Sequence, residues 1–288
     1  MLRGLYTAAA GMIAQQRKHD TVTNNIANIN TPGYKEEQAV NRAFPEMLIA
    51  LIGEDQKPGS KQIGRMNSGV LAEEPVTVHL QGDLQETKNA GDFALSSDIR
   101  VPGMTFDASG KYVSPDGTVT YQPQAYFTVR DANGEERFTR NGKFVVGAAG
   151  QLLTTDGALV LGTDNQPITL SGPLSDYRVT EQGQFADAQT GELDPTISGL
   201  KISKIQNPYD LVREGNGNFR LSGEAAAADV APGDNVAVRQ GFIERSNVDA
   251  AAAMVDLMTA QRAYEANQKM IQYYDKSMDR AVNDIGRV

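Results

Sequence analysis

Apolar residues near the start of the chain recur in steps of three and four: Leu2, Leu5, Ala9 and Met12, with Ile13 beside them. The stripe continues through Gln16, His19, Thr23 and Ile26. This spacing predicts an amphipathic helix of about 27 residues, about 40 Å long, with a coiled-coil-like seam whose middle is polar. Its stop is well marked. Asn28 and Asn30 tolerate a left-handed helix end, Pro32 cannot continue a helix, and Gly33 completes the turn.

A second stripe runs along the other end of the chain: Met254, Leu257, Gln261, Tyr264, Gln268, Ile271, Asp275, Met278, Val282 and Ile285. Ser246 or Asn247 is the expected N-cap, with Asp249 in the first turn and the Ala250–Ala253 run behind it. Gly286 is the expected terminator. A helix of roughly 38 residues would be about 57 Å long. From Phe242 to Ile285 there is neither Gly nor Pro, as a long helix requires. Two such stripes need cover. They pack either on each other and a β domain, or in a tube shared by many copies.

Between them the pattern changes. From Gly82 to Gly241, Gly and Pro recur throughout, mixed with Asp and Asn. Asp116-Gly117, Asn133-Gly134, Asn141-Gly142 and Asp156-Gly157 are the favoured dipeptides of tight hairpins. They sit among β-rich runs such as Tyr126–Val129, Phe144–Val146, Leu152–Thr154 and Leu159–Leu161. Residues 76–241 therefore read as a β-rich domain. Arg42–Ile52 reads as a short amphipathic helix with Pro45 in its first turn, and 53–69 as an exposed polar arm. The predicted class is α+β: discontinuous terminal helices around a central, mainly antiparallel β domain. The segments are 1–35 (helix), 36–75 (short helix and linker arm), 76–241 (β-rich domain) and 242–288 (second helix).

Composition removes chemistries. The 288 residues include no Cys, no Trp and two His, which excludes disulfides, thiolate metal sites and thiol nucleophiles. A net charge of -9 argues against nucleic acid as a partner. No stretch reaches the roughly 18 uninterrupted apolar residues of a membrane-spanning helix. Residues 3–14 imitate a signal peptide only loosely, being broken by Thr7 and Gly11. No serine-hydrolase elbow, zinc-protease helix or phosphate loop is present. Gly215–Arg220 begins like a dinucleotide fingerprint and Asp131–Glu136 like a calcium loop, but both fail in spacing and read as turns. No catalysis, cofactor or metal is expected. The competing class is a secreted β-rich adhesin or hydrolase, which would have no use for the sequence motifs at the two ends of the chain.

Three segments carry a resemblance. Asn24-Asn25-Ile-Ala-Asn28-Ile-Asn30-Thr-Pro32-Gly33-Tyr34-Lys35 resembles the N-terminal signature of bacterial flagellar rod and hook proteins. Gln240–Asp249, then Gln261-Arg262-Ala-Tyr264-Glu-Ala-Asn267 and Ile285-Gly-Arg, resemble their C-terminal helix motif. Phe138-Thr-Arg-Asn-Gly-Lys-Phe144 with Gly150–Gly157 resembles the core of the FlgF/FlgG type. Two features depart from the pattern. Asn89-Ala-Gly-Asp92 stands where the family has Asn-Pro-Leu-Asp, and Ser96–Pro123 is inserted. Arg42–Ile52 is more similar to the Gram-positive rod-type proteins FlhO and FlhP. The resemblance implies a structural subunit of the flagellar rod, exported by the type III apparatus without a cleaved signal. Its partners would be further copies and other rod and hook axial proteins. It implies assembly roles for Leu2, Leu5, Met12, Ile13, Asn24, Asn25, Asn28, Asn30, Pro32, Gly33 and Tyr34. The same holds for Ser246, Asn247, Met254, Leu257, Gln261, Arg262, Tyr264, Asn267, Ile271, Met278 and Ile285.

Overall fold

The computed structural model describes residues 2–51, 61–107, 110–223, 226–231 and 233–285. Side-chain detail begins after Leu2, is lacking at 49–51 and 61–63, and ends before Asp284. Gly286, the middle of the predicted arm and the side chains of Leu2 and Ile285 lie outside this description. The chain forms two compact units. One gathers the residues up to Ala27, Glu37–Val76 and the residues from Asp249 on; the other holds Asn28–Glu36 and Thr77–Val248.

The first unit is built on α1 (Leu2–Ala27) and α2 (Ala250–Arg280), the latter continuing as a π-helical turn over Ala281–Ile285. They run antiparallel: Gly4 faces Tyr274, Gly11 faces Asn267, and Lys18 Nζ bonds Asp256 Oδ1 at 2.8 Å. The α2 side turned to α1 carries Ala253, Leu257, Ala260, Tyr264, Asn267, Ile271, Tyr274, Met278 and Ala281, all buried or half-buried and spaced four and three apart. On α1 the matching side carries Gly4, Ala8, Gly11, Ala14, Lys18, Val22 and Asn25. This corrects the sequence-derived stripes. The α2 seam is shifted by one residue at alternate positions, so Met254 and Gln261 are exposed; on α1, Ile13, Gln16 and Thr23 are exposed. Small residues occupy much of the true seam because they let two backbones approach closely, whereas a hydrophobicity count favours the larger Met and Ile.

The N-cap of α2 is also corrected. Asp249 caps it, its Oδ1 accepting from the Ala251 and Ala252 N–H groups at 2.8 and 3.2 Å. Arg42–Leu51, the described part of the expected short helix, is not helical. Asn41–Ala43 and Met47–Leu51 are strands, paired antiparallel with Val70–Ala72 and Lys61–Met66. The apolar run at 47–52 is too short and too continuous to specify a helix against available partner strands. The arm expected to be irregular supplies one of those partners.

The second unit is mostly antiparallel β. Its largest sheet, nine strands among the described residues, centres on Gln124–Arg130. That strand is buried on both faces. Ala125, Phe127 and Val129 enter one apolar cluster with Phe93, Phe144 and Leu152, and Tyr126 enters another with Phe138, Ile205 and Phe219. Asn133-Gly134 and Asp156-Gly157 turn as expected, with Gly φ of 86° at each. Gly215–Asn218 is a tight hairpin turn, as the spacing predicted. Asn141-Gly142 is different. The strands on either side of it, Glu136–Thr139 and Phe144–Val146, do not pair with each other. Gly142 is needed for close backbone approach, because a Cβ there would overlap the Phe93 carbonyl, whose own N–H donates to Gly142 O at 2.9 Å.

This distinguishes two glycines of similar sequence context. Gly142→Ala should destabilise the chain by about 3 kcal/mol, since the obstacle is backbone that cannot turn away. Gly134→Ala meets no atom and should cost about 1 kcal/mol from its positive φ alone. Urea denaturation midpoints of the two full-length variants check the difference.

Candidate functional site

Three distant segments meet at one buried carboxylate. Glu244 ends strand Phe242–Glu244, which pairs antiparallel with Leu84–Glu86. Its Oε1 accepts from Lys35 Nζ at 2.5 Å and from the Gly82 N–H at 2.9 Å. Its Oε2 lies 2.9 Å from Arg140 Nε, off the line that a hydrogen bond needs. Lys35 Nζ also donates to Leu80 O at 2.6 Å, and Arg140 Nη1 to Ala125 O at 2.7 Å. Lys35, Arg140 and Glu244 are each only 1% exposed.

Local turn chemistry delivers Lys35 to this site. The Thr31 N–H donates to Asn28 O, and the Tyr34 N–H to Thr31 O. Gly33 has φ 70°, and its N–H donates to Glu244 O at 2.8 Å. A Cβ on Gly33 would come within 2.5 Å of the Arg140 carbonyl carbon, so only glycine fits between these strands. The Arg213 guanidinium lies 4.3 Å over the buried Tyr34 ring and donates to Lys35 O at 2.6 Å. His79, also buried, shares a 3.0 Å hydrogen bond between its Nδ1 and the Tyr126 hydroxyl.

Burial sets the electrostatics. Desolvation lowers the Lys35 amine to about 8, against the opposing pull of Glu244. For Glu244, burial alone would raise the carboxyl; the Arg140 and Lys35 charges outweigh it and hold the group below its usual range. Burial, then the Lys35, Arg213 and Arg140 charges, lower His79 to about 3. His79 is therefore neutral at physiological pH. This set of groups is sealed from any substrate by its burial, and it works as a brace.

Asn247 extends the brace. It does not cap α2. Its Oδ1 accepts from the Glu36 N–H at 2.7 Å, and its Nδ2 donates to Val78 O at 2.9 Å and Leu80 O at 3.2 Å. Ser246 is likewise not a helix cap; its Oγ accepts from the Val248 N–H. Three of the four points where the chain passes between the units therefore leave the second unit at one hydrogen-bonded patch. In the first unit Asn25 makes a similar clamp: Oδ1 accepts from Glu37 N–H at 3.0 Å and Nδ2 donates to Glu37 O at 2.8 Å. Asn28 supports the turn through Thr31, while Asn24 and Asn30 are exposed and Pro32 is half-buried.

The remaining expected residues divide along the helix pair. Leu5, Met12, Leu257, Tyr264, Asn267, Ile271 and Met278 are half-buried; Ile13, Met254, Gln261 and Arg262 are exposed. The exposed side also holds Tyr6, Val255, Met258, Met270 and Tyr273, each about half exposed or more. Among the described residues no cluster of His, Asp and Glu could hold a metal, and no helix is long and apolar enough to cross a membrane. Sequence reasoning missed Lys35, Arg140 and Glu244 as a set. The available signal was a charge inside each of the three quoted motifs, close to a glycine.

Glu244→Gln would leave two buried cations without their counter-charge, and should destabilise the chain by about 4 kcal/mol. The depressed His79 gives a pH window. Below 6.5 the unfolded chain takes up a proton that the folded chain refuses down to about 3. Stability should then fall as pH drops through that interval, by about 1.4 kcal/mol per pH unit. His79→Gln should flatten the profile between pH 6.5 and about 5.5, above the range where the carboxylates of the unfolded chain take up protons. Denaturant titrations of the full-length chain across this interval check both effects.

The comparisons with known proteins fall on the same segments. A family model described as "Flagella basal body rod protein" matches residues 5–35. One described as "Flagellar hook protein FlgE/F/G D1 domain" matches 122–187, and "Flagellar basal body rod FlgEFG protein C-terminal" matches 239–284. Lys35, Arg140 and Glu244 fall one in each. The flagellar hook-basal body complex protein FlhO of Bacillus subtilis is 36% identical over 292 residues, covering all of both chains. The flagellar basal-body rod protein FlgG of Agrobacterium fabrum is 31% identical, covering 96% of each. FlhP of Bacillus subtilis is 27% identical, covering 96% of this chain and 97% of its own. With a relative this similar along the whole length, the chain belongs to the family of structural subunits of the bacterial flagellar basal-body rod and hook-basal body.

Proposed function

We propose that this subunit assembles into the rod through its helical unit, whose α1–α2 pair packs against the pairs of neighbouring copies and of other axial proteins. The supporting observation is the exposed apolar side of that pair. Tyr6, Ile13, Met254, Val255, Met258, Met270 and Tyr273 are large apolar side chains left exposed on the two helices. The seam spaced four and three apart packs as a short coiled coil, with Gly4 and Gly11 setting the close approach. Gln261 and Arg262 make polar contacts along the assembled wall. The Glu244 brace keeps the β unit rigid when torque passes along the rod. Export proceeds through the flagellar type III apparatus. Asn25, Gly33, Tyr34 and Asn247 act inside each copy, fixing the chain's path, and are not contacts to a partner.

The test uses exposed positions, so that folding and assembly separate. Val255→Glu with Met258→Glu should leave the thermal transition of the purified chain within about 1 kcal/mol of the original. It should abolish swimming and remove the chain from isolated hook–basal bodies. Normal swimming and normal incorporation would refute assembly through this face.

A further inference from the structure

Three Asn-Gly pairs lie in the β unit, at Asn133-Gly134, Asn141-Gly142 and Asn216-Gly217. Asparagine before glycine is chemically labile, because a glycine amide nitrogen, unshielded by a side chain, can reach the asparagine side-chain carbonyl. Ring closure requires the asparagine to rotate its ψ out of the turn. The fold holds two of the pairs against that rotation. The Gly134 N–H, the group that would attack, donates to Asp131 O at 3.1 Å. Asp131 Oδ1 pins the same turn, accepting from the Asn133 and Glu135 N–H groups at 2.8 and 2.9 Å. Asn141 is half-buried, its Oδ1 accepts from the Lys143 N–H at 3.2 Å, and the Phe93 carbonyl crowds Gly142. Asn216 differs. It is exposed, with φ 51°, at the tip of the hairpin that joins strands Leu211–Gly215 and Asn218–Leu221. Among the described residues no group bonds its side chain. The Gly217 N–H lies outside the ladder, between Gly215 and Asn218, which pair with each other.

We infer that Asn216 is a site of spontaneous deamidation, converting ahead of Asn133 and Asn141. The Gly217 nitrogen gives its proton to hydroxide and bonds Asn216 Cγ. The Cγ–Nδ2 bond breaks, and ammonia leaves with a proton returned by water, closing a succinimide ring. Water then adds to the ring. Opening at Cγ leaves aspartate; opening at the backbone carbonyl leaves isoaspartate, whose main chain runs through Cβ and Cγ. Either product adds a negative charge two residues from Glu214, whose carboxylate bonds Arg137 Nε at 2.5 Å and Arg220 Nε at 2.6 Å. Isoaspartate also lengthens the main chain of a two-residue turn. That disturbs the Gly215–Asn218 pairing and the 3.0 Å bond from Thr139 Oγ1 to Gly217 O. The same hairpin carries Arg213, which lies over Tyr34 and donates to Lys35 O. Conversion therefore loosens the hairpin that braces Tyr34 and marks the age of a copy.

The test keeps the full-length chain folded in mildly alkaline buffer, with a urea-unfolded sample beside it. Peptide mapping by mass spectrometry follows the three Asn-Gly peptides. An isoaspartyl methyltransferase with labelled S-adenosylmethionine reports isoaspartate. In urea the three peptides should convert at similar rates. In the folded chain Asn216 should convert about tenfold faster than the other two, because opening is confined to the hairpin tip. Asn216→Gln should remove most of the methyl acceptance, since the longer side chain closes a ring far more slowly. Equal rates at the three sites in the folded chain overturn the inference. So does faster conversion at Asn133 or Asn141, or an intact Asn216 once the unfolded sample has converted. The converted fraction, separated by anion exchange, should unfold at lower urea than the unconverted chain; an unchanged midpoint overturns the loosening of the hairpin.

Discussion

One buried carboxylate organises the β unit. A charge moved into a protein interior is tolerated only when counter-charges and hydrogen bonds replace the lost water. Glu244 has the Lys35 amine, the Gly82 amide and the Arg140 guanidinium within 3 Å. Each comes from a different part of the chain. Loss of either cation would leave the carboxylate with a single counter-charge, and loss of the carboxylate would strand two cations. The neighbouring glycines follow from this. Gly33 and Gly142 are positions where backbones must pass too closely for a Cβ, beside Arg140 and Phe93 respectively. The same three segments are those matched by the family models.

The helical unit follows another logic. Its two helices meet through a seam that mixes Gly4, Ala8, Gly11, Ala14, Ala253 and Ala260 with larger residues such as Leu257, Tyr264, Ile271 and Tyr274, while Met254, Val255, Met258, Met270 and Tyr273 stay exposed. Within one copy, close backbone approach gains dispersion contacts along the seam but covers modest apolar area. Exposed Met and Tyr side chains carry further apolar area on the same helices. Unbranched Met side chains can adapt to many surfaces.

Much of this was legible in the chain, and the misses have physical causes. Both long helices, their stop at Asn28–Gly33 and several Asp-Gly and Asn-Gly hairpins followed from periodicity and turn chemistry. The α2 seam was placed one residue off because hydrophobicity weights Met254 above Ala253, whereas close helix packing selects the smaller residue. Asn141-Gly142 was read as a turn because a dipeptide does not reveal whether its glycine serves positive φ or close approach. Ser246 and Asn247 have the chemistry of helix caps, but an asparagine amide bonds strand backbone equally well, and Asn247 does so. The Lys35–Glu244–Arg140 set was hidden by sequence distance: a charge reads as solvated unless its partner is known to arrive from elsewhere.

The overall charge gains a meaning from this division. α1 carries Arg3, Arg17 and Lys18 against Asp20, and α2 balances Arg262, Lys269, Lys276 and Arg280 against Asp256, Glu265, Asp275 and Asp279. With +2 on one helix and zero on the other, a total of -9 leaves eleven net negative charges on the rest of the chain. Free copies therefore repel one another over most of their surface, which opposes unspecific association at a distance beyond contact. The two helices carry little of that charge. Screening by salt reaches about 8 Å under physiological conditions, so repulsion between the acidic parts weakens once their separation exceeds that length. A charge distribution of this kind disfavours contacts through the acidic part of the chain more than through the two helices.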